Sequence, residues 1–166
     1  MRALICLALL CCIGVQTADA QRRNRREVVP VEFGVRGGYD FESDVGSAGA
    51  QVRIPLIRQL LVVPSADVFF GEDRGEAGPQ WQLNADAVVA PDEFGGVYAG
   101  AGAAFADRDY DDDGDTEMKV GYNLLVGIHA RPVFDTTARP FAEARWSGVD
   151  DFQPFRLVAG VNVPIR

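Results

Sequence analysis

Cysteine is scarce in this chain, and all of it lies near the amino terminus. The three cysteines are Cys6, Cys11 and Cys12, and the rest of the sequence contains none. They fall within a segment that is typical of a secretion signal, so the exported chain is expected to contain no cysteine. Disulfide bonds and thiol chemistry are thereby excluded for the mature protein.

The chain also has only one long apolar run, and its setting is that of a signal peptide. Met1-Arg2 precedes apolar residues from Leu4 to Val15, a run too short to stay in a bilayer as a spanning helix. Ala18-Asp19-Ala20 then supplies the small residues that signal peptidase requires. A lipoprotein signal is disfavoured, because leucines rather than small residues precede the cysteine pair. We therefore predict a cleaved signal over residues 1–20 and a mature chain that begins at Gln21.

The chain also lacks an excess of basic residues. The formal net charge is −8, and removal of the signal leaves it unchanged because Arg2 and Asp19 leave together. Nucleic-acid binding requires a basic surface, so it is not expected. The one basic cluster lies in residues 21–30, which are predicted to form a solvated periplasmic arm rather than a docking site. Its members are Arg22, Arg23, Arg25 and Arg26.

Eight stretches of the remaining chain alternate apolar and polar residues with period two, as strands with one apolar face do. Few helical signals separate them. The predicted strands are residues 31–42, 49–56, 60–70, 80–90, 96–106, 119–130, 139–147 and 155–165. The odd-numbered connections are on average longer than the even-numbered ones. This pattern predicts an all-β domain over residues 31–166, an eight-stranded antiparallel up-and-down barrel.

The polar phase of these strands carries nearly balanced charge, whereas the apolar phase carries almost none. The charged members are Glu32, Arg36, Asp40, Glu42, Arg53, Asp67, Asp86, Lys119, Glu143, Arg145 and Arg156. Glycines alternate with them and would make room for long side chains in the narrow interior of an eight-stranded barrel. Charges taken out of water must pair. We therefore predict a polar interior and an apolar exterior, the arrangement of a transmembrane β-barrel.

The aromatic residues of the apolar phase cluster at one end of the strands. Because chain direction reverses from strand to strand, they are all expected at the same rim of the barrel. They are Tyr39, Phe41, Phe70, Trp81, Phe105, Tyr122, Trp146 and Phe155. Rings at one height on an apolar surface predict an interfacial girdle. Strand-end aromatic packing in a soluble sandwich is the alternative explanation.

With these features the chain resembles the small eight-stranded outer-membrane barrels of the OmpA/OmpX type. The resemblance covers residues 29–166 and is one of pattern, without a family-specific sequence signature. It implies a monomer in the outer membrane of a Gram-negative-type bacterium, with outer-membrane lipid and the assembly machinery as partners. One departure is the carboxyl end, Val163-Pro164-Ile165-Arg166, where barrels of this class usually end their last strand with an aromatic residue.

An acidic segment after the fifth predicted strand is the sharpest candidate site. Its alternating carboxylates, followed by Gly114, match the first half of a calcium loop. The candidate ligands are Asp109, Asp111, Asp113 and Asp115. In a twelve-residue calcium loop that begins at Asp109, the last position should hold a bidentate glutamate, but Val120 stands there. A solvated acidic loop is therefore favoured over a weak calcium site.

No catalytic constellation is found in the sequence. His129, the single histidine, lies on the polar phase without a neighbouring serine, so a hydrogen-bonding role in the lumen is favoured over catalysis. The glycines of Gly100-Ala101-Gly102 lack the strand-then-helix context of a phosphate loop. We expect no cofactor, and a structural or surface-interaction role with the surface ligand left open. The alternative is a soluble, lipocalin-like periplasmic barrel that binds a small apolar ligand.

Overall fold

The computed structural model describes residues 29–70, 81–91, 96–109, 116–132, 136–149 and 155–165. The strands are β1 Glu32–Asp40, β2 Val45–Ile57, β3 Leu60–Phe70, β4 Trp81–Val89, β5 Val97–Asp109, β6 Thr116–His129, β7 Arg139–Val149 and β8 Phe155–Pro164. Within these ranges, no helix is long and apolar enough to cross a membrane. The predicted signal peptide and residues 21–28 of the predicted arm lie outside the described residues.

The eight strands form one closed barrel in chain order, which confirms the predicted fold class. Each strand pairs antiparallel with the next, and β1 closes the sheet against β8, with Glu32 opposite Pro164 and Asp40 opposite Arg156. Because the sheet closes on itself, each of the eight described strands has a neighbour on both sides. We call the rim that holds the start of β1 and the end of β8 the terminal rim, and the opposite one the loop rim.

The first hairpin is tighter than predicted. β1 ends at Asp40 and β2 begins at Val45, where the sequence pattern placed residues 43–48 in a connection. The Asp40 carboxylate accepts backbone N–H groups of Glu42 and Ser43, at 2.9 and 3.2 Å, and so stabilises a short turn. Glu42 was predicted to lie in the lumen, which is wrong, because the turn leaves it exposed.

The hairpin of β5 and β6 is longer than predicted, because the backbone ladder continues through polar residues to the pair Asp109 and Thr116. Ladder hydrogen bonds do not depend on side-chain polarity, so alternation of apolar residues underestimates such strands. The intervals between strands are 41–44, 71–80, 110–115 and 150–154 at the loop rim, against 58–59, 90–96 and 130–138 at the terminal rim. Their mean lengths are similar, so the expected excess at the loop rim is not found.

Burial alternates along the strands as the sequence predicts. In β8, Arg156 and Asn162 are buried in the lumen, whereas Leu157 and Val163 are exposed on the outer surface. Apart from Glu42 and the half-exposed Lys119, every predicted lumenal charge is buried. These residues are Glu32, Arg36, Asp40, Arg53, Asp67, Asp86, Glu143, Arg145 and Arg156. The predicted polar interior and apolar exterior are confirmed.

The lumen also contains an apolar layer that the sequence pattern did not predict. A cluster of buried residues lies between the polar network and the terminal rim, and it is formed by Leu61, Val63, Val88, Tyr98 and Leu125. Most of its members stand beside other apolar residues in the chain, so alternation could not assign them a face. The interior is therefore partly dry as well as polar.

Aromatic rings form a row on the outer surface near the loop rim, as predicted. Tyr39 packs edge-on against Phe41 at 5.1 Å between ring centroids, and Phe41 stacks on Phe155 at 5.9 Å. Trp146 continues the row at 5.0 Å from Phe155. The row thus crosses the seam at which β1 and β8 close the barrel.

Four other rings lie over glycines directly opposite them on the neighbouring strand. The pairs are Gly46 with Phe70 and Gly148 with Tyr122 on the outer surface, and Gly127 with Tyr98 and Gly160 with Phe141 in the lumen. A Cβ added at Gly160 would lie 2.7 Å from a ring carbon of Phe141. The rings cover the backbone that the glycines leave bare, so these pairs add packing where the sheet would otherwise be thin.

Candidate functional site

The lumen is the most highly organised polar region of the barrel, and one of its two ionic centres is built around Asp67 on β3. The Arg36 guanidinium donates to both carboxylate oxygens of Asp67, through Nε at 2.8 Å and through Nη2. The same Nη2 donates to Ser65 at 2.9 Å, and Arg156 approaches Asp67 at 3.8 Å. The buried carboxylate thus faces two guanidinium groups, so its charge is compensated in the lumen.

The second ionic centre is built around Arg145 on β7. Its Nη2 donates to Asp86 at 2.8 Å, and its Nε donates to Glu143 at 3.0 Å. Tyr98 donates its hydroxyl to the other Glu143 oxygen at 3.2 Å. The Arg145 and Asp86 side chains are 1 % and 0 % exposed, so this pair is fully withdrawn from solvent.

Amide and hydroxyl side chains join the two centres across the lumen. Asn84 donates to Asp67 at 3.2 Å, and Asn123 donates to Asn84 at 2.9 Å and to Asp86 at 3.1 Å. Ser147 donates to Asn123 at 2.8 Å and accepts from Arg156 at 3.2 Å. The network joins side chains of β1, β3, β4, β6, β7 and β8 across the lumen, so most of the interior is filled by hydrogen-bonded polar groups. Within the described residues, Arg145 Nη1 and Arg156 Nε are the atoms of the network that are buried without a hydrogen-bond partner.

At the terminal rim the lumen opens into a different environment. Glu32 lies 3.2 Å from Arg139 and 3.5 Å from Arg53, and the Arg53 guanidinium stands over the Tyr98 ring at 5.2 Å. The Arg139 side chain is 42 % exposed, whereas the other two are buried. This mouth is positively charged and partly solvated, unlike the compensated network above it.

His129 lies at the terminal end of β6 on the lumenal phase, as the sequence predicted. Its ring stacks on Tyr98 at 6.1 Å, and its backbone N–H donates to Gly96 at 3.0 Å. The Nδ1 atom is buried and has no hydrogen-bond partner among the described residues. The expected hydrogen-bonding role in the lumen is therefore not fulfilled by Nδ1.

The calcium hypothesis receives no test from the structure. Asp109 is the last residue of β5, and Asp111, Asp113 and Asp115 lie outside the described residues. In the ranges that the structure covers, no group of three His, Cys, Asp or Glu side chains could hold a metal ion. The best-defined chemistry is instead the ionic network in the lumen, whose serine members sequence analysis missed. Ser65 and Ser147 carry no charge signal that would have singled them out.

Comparison with known proteins supports the architecture. No family model and no curated protein matches the chain. Among solved structures, the N-terminal β-barrel domain of Pseudomonas aeruginosa OprF is similar, with 16 % identity and a TM-score of 0.61 over 80 % of this chain and 94 % of that one. Neisserial surface protein A has 16 % identity and a TM-score of 0.56, over 81 % of this chain and 94 % of that one. Both are small outer-membrane barrels, and this chain has their eight-stranded fold.

Proposed function

We propose that the chain is an integral outer-membrane β-barrel protein of a Gram-negative-type bacterium, with a structural or surface-interaction role and no catalysis. One observation carries the proposal: ionised side chains are buried inside the barrel while large apolar side chains are exposed outside. In water this distribution would be unfavourable on both faces, because it buries charge and exposes apolar area. In a bilayer the apolar exterior is solvated by lipid.

The outer surface supports this environment over most of its height. Exposed side chains include Val35, Leu124, Val126, Ile128 and Leu157, and each is between 42 and 57 % exposed. Soluble monomers rarely expose contiguous apolar patches larger than a few hundred Å². The aromatic row near the loop rim suits the boundary between hydrocarbon and headgroups.

The lumen argues against the lipocalin-like alternative. That interpretation requires the apolar phase to line a ligand cavity, whereas here the inward phase holds the Asp67 and Arg145 centres and their bridging amides. The two outer-membrane neighbours also favour the membrane fold. We therefore infer that outer-membrane lipid and the barrel assembly machinery are the partners, and that the protein is a monomer with loops available for a surface ligand.

Cell fractionation tests this proposal directly. The full chain, with its signal, is produced in a Gram-negative host and separated into periplasmic, inner-membrane and outer-membrane fractions. We expect the folded protein in the outer membrane, where it should resist extraction by alkaline carbonate. Release by osmotic shock, as for a soluble periplasmic protein, would contradict the proposal.

The proposed export route has its own measurement. Cleavage after Ala20 should leave a chain that begins at Gln21 and lacks cysteine. Intact-mass spectrometry of protein purified from the outer membrane should give the mass of residues 21–166. A mass that includes residues 1–20, or a lipid adduct on cysteine, would rule out this route.

A further inference from the structure

A cavity of about 320 Å³ lies at the terminal mouth of the lumen, apart from the compensated network. Side chains from β1, β2, β6, β7 and β8 and from the β2–β3 turn converge on it. Its polar lining consists of Glu32, Arg53, Arg58, His129, Arg139 and Asn162. At about 30 Å³ per water molecule, the cavity has the volume of about ten waters.

The charge of this lining is unbalanced. Beside Glu32, the one carboxylate among the described residues that line the cavity, stand the guanidinium groups of Arg53 and Arg139. That carboxylate is shared between Arg139, at 3.2 Å, and Arg53, at 3.5 Å. In the ionic network deeper in the lumen, by contrast, the single guanidinium group of Arg145 faces two carboxylates. The cavity therefore keeps an excess of positive charge that favours an anion.

One buried donor at the cavity also has no acceptor. Asn162 Nδ2 lacks a hydrogen-bond partner within the described part of the chain, and the residue is 1 % exposed. Arg53 Nε, on a side chain that is 7 % exposed, has only the 3.5 Å ion pair with Glu32 Oε2 and no full hydrogen bond. Asn162 Oδ1 already accepts from Gln51 Nε2 at 2.8 Å, which orients the amide. A buried donor without a partner is destabilising, so a bound acceptor would be stabilised here.

We propose that this cavity binds a phosphate group. Guanidinium groups match phosphate oxygens with paired hydrogen bonds, and the Asn162 amide adds a neutral donor to the guanidinium groups of Arg53 and Arg139 at the same cavity. The group could come from a soluble phosphate or from a lipid headgroup at the terminal rim. Both sources present the same chemistry to Arg53, Arg139 and Asn162.

Calorimetric titration of the mature, refolded chain with inorganic phosphate tests the site. The detergent is a maltoside, which contains no phosphate, and the ionic strength is low. Arg139→Gln removes a charge from a partly exposed side chain, and Lys119→Gln removes one from the other end of the barrel as a matched control. We expect phosphate to bind the wild type, the dissociation constant to rise at least tenfold in Arg139→Gln, and no change in Lys119→Gln.

Asn162→Asp provides a second, nearly isosteric variant. It keeps the acceptor for Gln51 and replaces the unpartnered donor by a carboxylate oxygen, so it should abolish phosphate binding. Absence of phosphate binding in the wild type would overturn the proposal. Equal weakening by Arg139→Gln and Lys119→Gln, or acetate binding as tight as phosphate binding, would overturn it as well.

The same titration in phosphatidylcholine vesicles distinguishes the two sources. Phosphate binding that matches the detergent value assigns the site to soluble phosphates. A lipid headgroup is the source if phosphate no longer binds in the vesicles. In that case, addition of short-chain phosphatidylcholine to the detergent sample should abolish phosphate binding as well. Either result supports a phosphate site, and neither depends on the surface role proposed above.

Discussion

Two adjacent positions of β8 test which face of the barrel is inside. Gly160 lies in the lumen, where an added Cβ would be 2.7 and 2.8 Å from two ring carbons of Phe141 and would collide with the carbonyl oxygen of Val35. Ala159 is exposed on the outer surface, between Gly37 of β1 and Ala142 of β7. The two residues are adjacent in sequence but lie on opposite faces of the sheet.

A leucine at each position therefore has a different expected cost. Gly160→Leu inserts a side chain into a closed, packed lumen and meets backbone that cannot move aside, so we expect a loss of about 3 kcal/mol or more. Ala159→Leu adds apolar area to a surface that lipid covers, and the change should stay within about 0.5 kcal/mol. Ala159→Arg places a charge midway along the outward row of β8, and should cost about 2–4 kcal/mol in a bilayer.

Urea unfolding in lipid vesicles, followed by the fluorescence of Trp81 and Trp146, measures all three variants against the wild type. Gly160→Ala provides a smaller step, since its Cβ alone already requires Phe141 to shift. If Gly160→Leu unfolds like the wild type while Ala159→Leu is strongly destabilised, the assignment of the two faces of β8 is wrong. That result would place the row of β8 side chains that includes Gly160 on the outer surface and the row that includes Ala159 in the interior.

Three further outcomes are expected from the lumen and the acidic loop. Arg145→Met should destabilise the barrel by about 3–5 kcal/mol in the same urea assay, because Asp86 and Glu143 would stay buried without their cation; a loss below 1 kcal/mol would show that the ion pairs are not withdrawn from solvent. In planar bilayers the purified protein should give no large, steady porin-like conductance, since side chains fill the lumen of an eight-stranded barrel; stable openings of porin size would contradict the filled lumen. Millimolar calcium should leave the melting temperature almost unchanged, because the twelfth-position ligand is missing; a large rise that is lost in an Asp111→Asn, Asp113→Asn double variant would establish the calcium site instead.

Much of the fold could be predicted because the period-two pattern is local. A residue such as Leu157 or Arg156 reveals its face through its immediate neighbours, without reference to the partner strand. Strand number and the polar lumen follow from that pattern, and so does the aromatic row that includes Trp146. The ends of strands were predicted less well, because the turn at Asp40 and the ladder to Asp109 depend on backbone hydrogen bonds rather than on side-chain polarity.

The candidate sites were less predictable from sequence. Alternation shows that Asp67 and Asp86 face inward and therefore require partners, but it does not say which arginine each one meets. Ser65 and Ser147 are small, uncharged residues, and their part in the network follows only from their positions opposite other lumenal side chains. The acidic loop, which has the clearest motif, lies mostly outside the described residues.

By itself, the sequence determined which side chains share a face, and hence that charge and glycine line one surface while apolar and aromatic residues line the other. Tertiary structure alone decided that Arg36 meets Asp67 and that Arg145 meets Asp86 and Glu143, because register and barrel closure set the distances between strands. Closure also brought Leu61 of β3 and Leu125 of β6 together in one dry layer. Finally, closure brought Arg53, Arg139 and Asn162 to one cavity at the terminal mouth from three different strands. The alternation in the sequence indicates which face of a strand a side chain lies on. Contacts between side chains of distant strands form only when the sheet closes into the barrel.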